Sequence, residues 1–114
     1  MEAREFAEII AKTLYDKKAQ DIDVLDIYAL THISDYFIIC TGTSSLQLKA
    51  LSDSVIEKTD EIGVPPLRIE GLNSAWILID FGYVVVHIFK SDARDFYGLE
   101  RLWSDAKKIN INFQ

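Results

Sequence analysis

The sequence has little of the chemistry that holds a small fold together through a covalent link or a metal. Its 114 residues include one cysteine, Cys40, and two histidines, His32 and His87. A single cysteine cannot form an internal disulfide, and these three side chains are too few soft ligands to favour a zinc site. We therefore predict no metal site and no cofactor, and the lone thiol is typical of a reducing cytoplasm.

Long apolar segments are also absent. The longest runs, residues 75–79 and 83–89, are interrupted by Asp80 and His87 and are far shorter than the roughly 20 residues of a membrane-spanning helix. The first five residues mix charges and lack the features of a signal or transit peptide. The sequence thus predicts a cytoplasmic protein without a membrane partner.

Basic residues are outnumbered and scattered along the chain. Twelve Lys and Arg residues against 18 Asp and Glu residues give a net charge of −6. Without a basic cluster the molecule repels a phosphate backbone, so we expect no direct recognition of RNA or DNA. A basic protein partner is favoured instead, because complementary charge speeds encounter.

The order of the predicted elements indicates one α/β domain. Apolar spacing predicts helices over residues 2–15 and 44–62, and a last continuous helix from Ser91 or Asp92 that carries Phe96, Leu99 and Trp103 on one stripe. Strands are predicted over 22–27, 36–41, 67–70, 75–80 and 83–89. The expected fold is a mixed sheet of about five strands flanked by helices, with the domain over 1–106 and a tail over 107–114 that is a candidate for fraying.

The last two strands are predicted to form a hairpin whose two-residue loop is Phe81-Gly82. In that register Asp80 opposes Tyr83, Leu78 opposes Val85, and Trp76 opposes His87, although a four-residue loop would change the pairs. One face is purely aliphatic: Ile77, Ile79, Val84, Val86 and Ile88. The other face mixes aromatic and polar groups, as interface centres do: Trp76, Leu78, Asp80, Tyr83, Val85, His87 and Phe89.

Pattern alone leaves Trp76 equally open to a place in the core and to a place in an interface. Phe81 has little nearby core to enter if it lies at the hairpin tip. We therefore predict that Phe81 is an exposed anchor for a partner.

Two arrangements of residues have the composition of an enzyme site. The turn at Gly42, between a strand and a capped helix, is a potential phosphate cradle, but a lone glycine more often marks a simple turn. Two-metal nucleotidyl transfer also needs paired carboxylates, and Asp53, the first acid after Gly42, has none two positions away.

The second arrangement is a nucleophilic triad of Cys40, His87 and either Asp80 or Asp35. Because Cys40 lies in an apolar strand, its thiol is expected to be buried and unreactive. We predict no catalytic residues.

Five ordered blocks of the sequence resemble the ribosomal silencing factor (Iojap) family. They are Asp35 to Ser44, Pro66-Leu67 leading to Glu70-Gly71, Trp76 to Gly82, Val84 to Phe89, and Tyr97 to Trp103. The resemblance covers the chain from about Asp21 to Asp105. Without the features of a transit peptide, it implies a bacterial member of the family rather than an organellar one. It implies a fold similar to nucleotidyltransferases without their catalytic carboxylates or activity.

The resemblance also implies a partner and a mechanism. The factor would dock on protein fourteen of the large ribosomal subunit, block joining of the small subunit and repress translation when nutrients are scarce, with a role in late subunit assembly. The positions that match the family's partner-binding residues are Trp76, Phe81 and Tyr97, with Asp80 and His87 beside them. A homodimer of the unbound protein, hiding the Trp76 face, stays open. The alternative is a nucleotidyltransferase-like enzyme or nucleotide-binding protein that uses the Gly42 turn.

One position departs from the family. Its members commonly have an acid directly after the hairpin glycine, where this chain has Tyr83. If that acid pairs with a basic partner, the contact is lost here or replaced by aromatic packing.

Overall fold

The computed structural model describes residues 1–113, apart from the side chain of Phe96. Its helices are α1 (Ala3–Asp16), α2 (Ser45–Glu61), α3 (Ser91–Tyr97) and α4 (Leu99–Leu102). Its strands are β1 (Gln20–Asp26), β2 (Tyr36–Gly42), β3 (Arg68–Glu70), β4 (Trp76–Asp80), β5 (Val84–Lys90) and β6 (Lys107–Lys108).

Within residues 1–113 the strands form one sheet of six in the order β3-β4-β5-β2-β1-β6. The central pair β2–β5 is parallel, and every other pair is antiparallel. The predicted α/β domain with a mixed sheet is therefore confirmed, with one strand more than expected. No helix in the described range is long and apolar enough to cross a membrane.

Helices α1 and α2 cover the aliphatic face of the sheet. Each contributes the stripe that the spacing predicts, with Phe6, Ile10 and Leu14 from α1 and Leu48 from α2 all fully buried. Burying each such side chain stabilises the fold by roughly 1.5–3 kcal/mol. The start of α2 is also as predicted, since Ser44 Oγ accepts from the backbone N–H of Gln47 at 3.1 Å.

The hairpin β4–β5 has a different register from the predicted one. Its pairs are Trp76–Phe89, Leu78–His87 and Asp80–Val85, two residues away from the expected partners on β5. The backbone N–H of Phe81 donates to Val84 O at 2.9 Å. The two-residue loop is accordingly Gly82-Tyr83, with Gly82 at φ +91°, a conformation that glycine adopts at little cost.

The opposite face of the sheet is covered by residues 91–106. These residues do not form the predicted continuous helix, because Gly98 adopts a left-handed conformation (φ +59°) that separates α3 from α4. Leu99 and Trp103 pack on a second apolar cluster that contains Phe37 and Phe89. The predicted place of Phe96 on this stripe concerns a side chain outside the described part of the chain.

Residues 107–113 of the tail, which the sequence marks as a candidate for fraying, pack against the domain. Strand β6 pairs with the end of β1, and the N–H of Ile109 donates to Val24 O at 2.8 Å. Ile111 and Phe113 pack against the first core, where the Phe113 ring stacks on Tyr15 at 4.6 Å. Gln114, the last residue of the predicted tail, lies outside the described residues.

Candidate protein-binding surface on the hairpin

The mixed face of the hairpin is half covered and half open. We call it the hairpin face, and it carries Trp76, Leu78, Asp80, Val85, His87 and Phe89, as the alternation predicts. The β5 side chains Val85, His87 and Phe89 are buried, and Val85 and Phe89 belong to the cluster on which residues 91–106 pack. On β4, Trp76, Leu78 and Asp80 are only half-buried. These three β4 side chains and Tyr97, which contacts Trp76, form what we call the open strip.

Trp76 is held at the centre of the open strip by contacts on several sides. Its indole N–H donates to His87 Nδ1 at 3.1 Å. Its ring centroid lies 5.0 Å from that of Phe89 and 4.7 Å from that of Tyr97. Tyr97 itself is 54% exposed. An aromatic pair that is already fixed loses little freedom on binding, which favours a role as an anchor.

His87 supports Trp76 from below and does not face solvent. It is 3% exposed, and its burial lowers its pKa to about 4. The imidazole is thus neutral near pH 7, and because Nδ1 accepts the indole hydrogen bond, the proton lies on Nε2. His87, predicted beside the partner-binding residues, is buried against Trp76 and Phe37 and is not part of the exposed surface.

We expect the stability of the protein to fall as the pH drops from about 6.5 to 4. The unfolded chain takes up a proton on His87 near pH 6.5, whereas the folded chain does so only near pH 4. The depressed pKa therefore contributes stability that is fully present above pH 6.5 and is lost on acidification, by about 3 kcal/mol at most. Urea unfolding at several pH values measures this.

The matched control for this experiment is His87→Asn, whose amide oxygen keeps an acceptor for Trp76. The variant should lose less stability than the parent between pH 7 and pH 4, because it lacks the imidazole that takes up a proton. The carboxylates are the same in both proteins, so their contributions cancel in the difference. Parallel curves for the two proteins would contradict the assignment.

Asp80 links the open strip to β3 and to the turn through hydrogen bonds. Its carboxylate accepts from Arg68 Nε at 3.0 Å and from the N–H of Gly82 at 2.7 Å. Arg68 also pairs with Glu70 at 3.4 Å, and both side chains are exposed beside the strip. The rim of the strip therefore carries two carboxylates and one guanidinium, a net negative charge.

Phe81 is not the exposed anchor that the sequence predicts. It is 4% exposed and belongs to the core on the aliphatic side, where its ring meets Phe6 edge-on at 5.0 Å. Tyr83, expected on the mixed face, also contacts Phe6, at 5.6 Å. Both predictions fail because the turn is one residue later than expected. The aromatic residue that departs from the family pattern thus packs against α1, away from Trp76.

The turn at Gly42 packs closely against side chains at the start of α2. A Cβ on Gly42 would lie 2.6 Å from Leu48 Cδ1, so a larger residue here would require the Leu48 side chain to move. The neighbouring N–H of Thr43 donates to Gln47 Oε1 at 2.6 Å. An amide that a phosphate cradle would use is therefore already bonded to the chain's own side chain.

The residues of the conceivable triad lie on opposite faces of the sheet. Cys40 pairs with Ile88 and belongs to the core under α1 and α2, whereas His87 belongs to the hairpin face. Burial raises the pKa of the Cys40 thiol to about 12. A buried protonated thiol without an adjacent imidazole is not an activated nucleophile.

Comparison with known proteins finds similar proteins both by sequence and by structure. A family model described as "Ribosomal silencing factor during starvation" matches residues 1–114. The Ribosomal silencing factor RsfS of Bacillus subtilis (strain 168) is 39% identical over 114 residues, which cover 99% of this chain and 97% of that protein. The RsfS of Haemophilus influenzae is 42% identical over 98 residues, 85% of this chain and 96% of that one.

Among solved structures, the crystal structure of a Chromobacterium violaceum protein matches with a TM-score of 0.89 at 38% identity, over 97% of this chain and 92% of that one. Sequence and fold agree over nearly the whole length, so the chain belongs to the ribosomal silencing factor (RsfS) family.

Proposed function

We propose that this chain is a repressor of translation that binds protein fourteen of the large ribosomal subunit and thereby blocks joining of the small subunit. The observation that carries the proposal is the open strip, where Trp76 and Tyr97 form a fixed aromatic pair at the protein surface. The relatives named as ribosomal silencing factors support the ribosome as the target. The site of action is then the cytoplasm.

The composition of the open strip suits a protein partner. Trp and Tyr are the residues most often found at binding hot spots, and here they are surrounded by polar side chains that form a rim. Glu70 and Asp80 give that rim its negative charge, on a molecule whose net charge is −6. A basic ribosomal protein is complementary to such a surface, whereas bare RNA would be repelled.

A regulatory rather than an enzymatic role agrees with the chemistry of the fold. The glycine turn that a nucleotide-binding protein would use is filled by Leu48 and Gln47. The cysteine is buried on the face opposite the histidine. The proposed action therefore needs no bond making or breaking, only occupation of a surface that the small subunit must reach.

Subunit joining followed by light scattering tests the proposal. Large subunits preincubated with the chain should give fewer joined ribosomes as the molar ratio of chain to large subunit is raised to one. Preincubation of the small subunit instead should have less effect at early times. Gel filtration before the assay measures how much of the chain is a homodimer. Binding to large subunits with an unchanged yield of joined ribosomes would contradict a steric block.

A further inference from the structure

Arg94 on α3 uses its whole guanidinium inside the protein. Nε donates to Glu100 Oε1 at 2.8 Å and one terminal nitrogen donates to Glu100 Oε2 at 2.9 Å. That same nitrogen donates to Asp23 Oδ2 at 2.9 Å. The other nitrogen donates to Asp21 O at 2.7 Å and to Thr41 Oγ1 at 2.8 Å. These five bonds match the five N–H donors of an arginine.

The bonds of Arg94 join four elements. They reach the start of β1, the end of β2 and the short helix α4, and they begin on α3. With its side chain only 10% exposed, Arg94 is placed to hold these elements together and has little surface left for a partner. Lys108 lies 3.8 Å from Asp23, so two cations balance two carboxylates in the cluster.

Helix α4 has few other means of staying in place. It has four residues, and none of them is buried. A helix this short is not stable by itself, because nucleation fixes several residues for one hydrogen bond. Its tethers are Leu99 and the following Trp103, which are partly buried, and the two-point bond from Arg94 to Glu100. The hydrogen bond from Arg94 also lowers the pKa of the Glu100 carboxyl.

Tyr97 lies between the two residues of the Arg94–Glu100 ion pair in the sequence. Arg94 is three residues before it and Glu100 three residues after it, and Gly98, in a left-handed conformation, separates the two helices. Because Tyr97 is 54% exposed, burial alone does not determine where its ring lies. Its ring contacts those of Trp76 and Phe89, and the backbone on either side of Tyr97 sets where the ring can reach them.

From this arrangement we propose that Arg94 is a positioning residue: by clamping Glu100 to the sheet it holds Tyr97 against Trp76 and so pre-forms the partner-binding surface. The inference rests on the proposed function in that the surface must be the one that binds. It goes beyond that function because Arg94, which does not contact the partner, fixes the arrangement of the side chains that do. Arg94→Lys keeps the charge but has only three donors, which cannot reproduce the planar fork.

The first test is nuclear magnetic resonance on the free protein. The cross-peaks between the Tyr97 and Trp76 rings should be present in the parent and be lost or reduced at least about threefold in Arg94→Lys and in Glu100→Gln. Arg4→Lys is the matched control, because Arg4 pairs with Glu8 on an exposed turn of α1. Unchanged cross-peaks in folded Arg94→Lys and Glu100→Gln overturn the proposal, whether or not the chain binds ribosomes.

The second test is a double-mutant cycle on binding to large subunits. Arg94→Lys should weaken binding about tenfold in the parent but less than about twofold in a Tyr97→Ala background, since the residue it positions is then gone. Equal weakening in both backgrounds would show that Arg94 does not act through Tyr97 and would overturn the proposal. If the parent itself fails to bind, the proposed function fails, and the ring cross-peaks still decide the role of Arg94.

Discussion

Trp76→Ala is expected to abolish most binding to large ribosomal subunits, with a loss in affinity of about 30-fold or more. Truncation of an aromatic hot spot commonly costs about 2 kcal/mol or more, and Trp76 is the residue around which the open strip is arranged. The substitution removes the ring that contacts Tyr97 and the donor to His87. Co-sedimentation with purified large subunits over a range of protein concentrations measures the effect.

The control separates binding from folding. Leu46→Ala removes an apolar side chain that is 80% exposed on the first turn of α2, outside the hairpin face, and should leave binding unchanged. Circular dichroism must show that Trp76→Ala is folded at the temperature of the assay. A folded Trp76→Ala protein that binds as tightly as Leu46→Ala would remove Trp76 from the interface.

Phe81→Ala is expected to destabilise the protein by about 3–5 kcal/mol, the usual cost of removing a buried phenylalanine. Its ring is enclosed on the aliphatic side of the sheet and meets Phe6 edge-on. Since domains of this size are stable by only about 5–15 kcal/mol, the variant should unfold at much lower urea concentration. Urea denaturation followed by circular dichroism gives the difference directly.

Binding by the Phe81 variants distinguishes a core residue from an anchor. Phe81→Leu keeps most of the buried volume, so it should cost less than about 1.5 kcal/mol and bind large subunits like the parent. If Phe81→Ala instead keeps its full stability and loses binding, the side chain would have to reach the partner, and its place in the core would be contradicted.

The composition of the two hairpin faces could be predicted from sequence because it depends only on alternation. Side chains in a strand point to opposite faces with a period of two, so the observed shift of two residues in register leaves every residue of β4 and β5 on its predicted face. Trp76, Leu78 and His87 were therefore placed on one face even though their cross-strand partners were wrong.

Alternation does not determine which residues form the turn. A loop placed one residue early put Phe81 at the tip and Tyr83 on the mixed face, and both assignments failed. The signal that a hairpin loop offers is its glycine, which fits either position of a two-residue loop. What decides between them is the packing of Phe81 against Phe6, 75 positions earlier in the chain, which a local pattern does not contain.

The long-range bonds of Arg94 and the packing of the tail could not be predicted for a similar reason. An arginine in an amphipathic helix normally faces solvent, and nothing in one sequence shows that Asp21, Asp23 and Thr41 lie beside it. Likewise, the short stretch around Ile109 has too few residues for a clear period, yet β1 offers it an unpaired edge.

Photo-crosslinking from position 97 tests most directly whether the open strip is the surface that meets the ribosome. A chain carrying Tyr97→p-benzoylphenylalanine should, on irradiation with large subunits, give one dominant adduct with protein fourteen, and the same probe at position 46 should give little. Adducts with protein fourteen from position 46 and none from position 97, in a chain that still binds, would contradict the account.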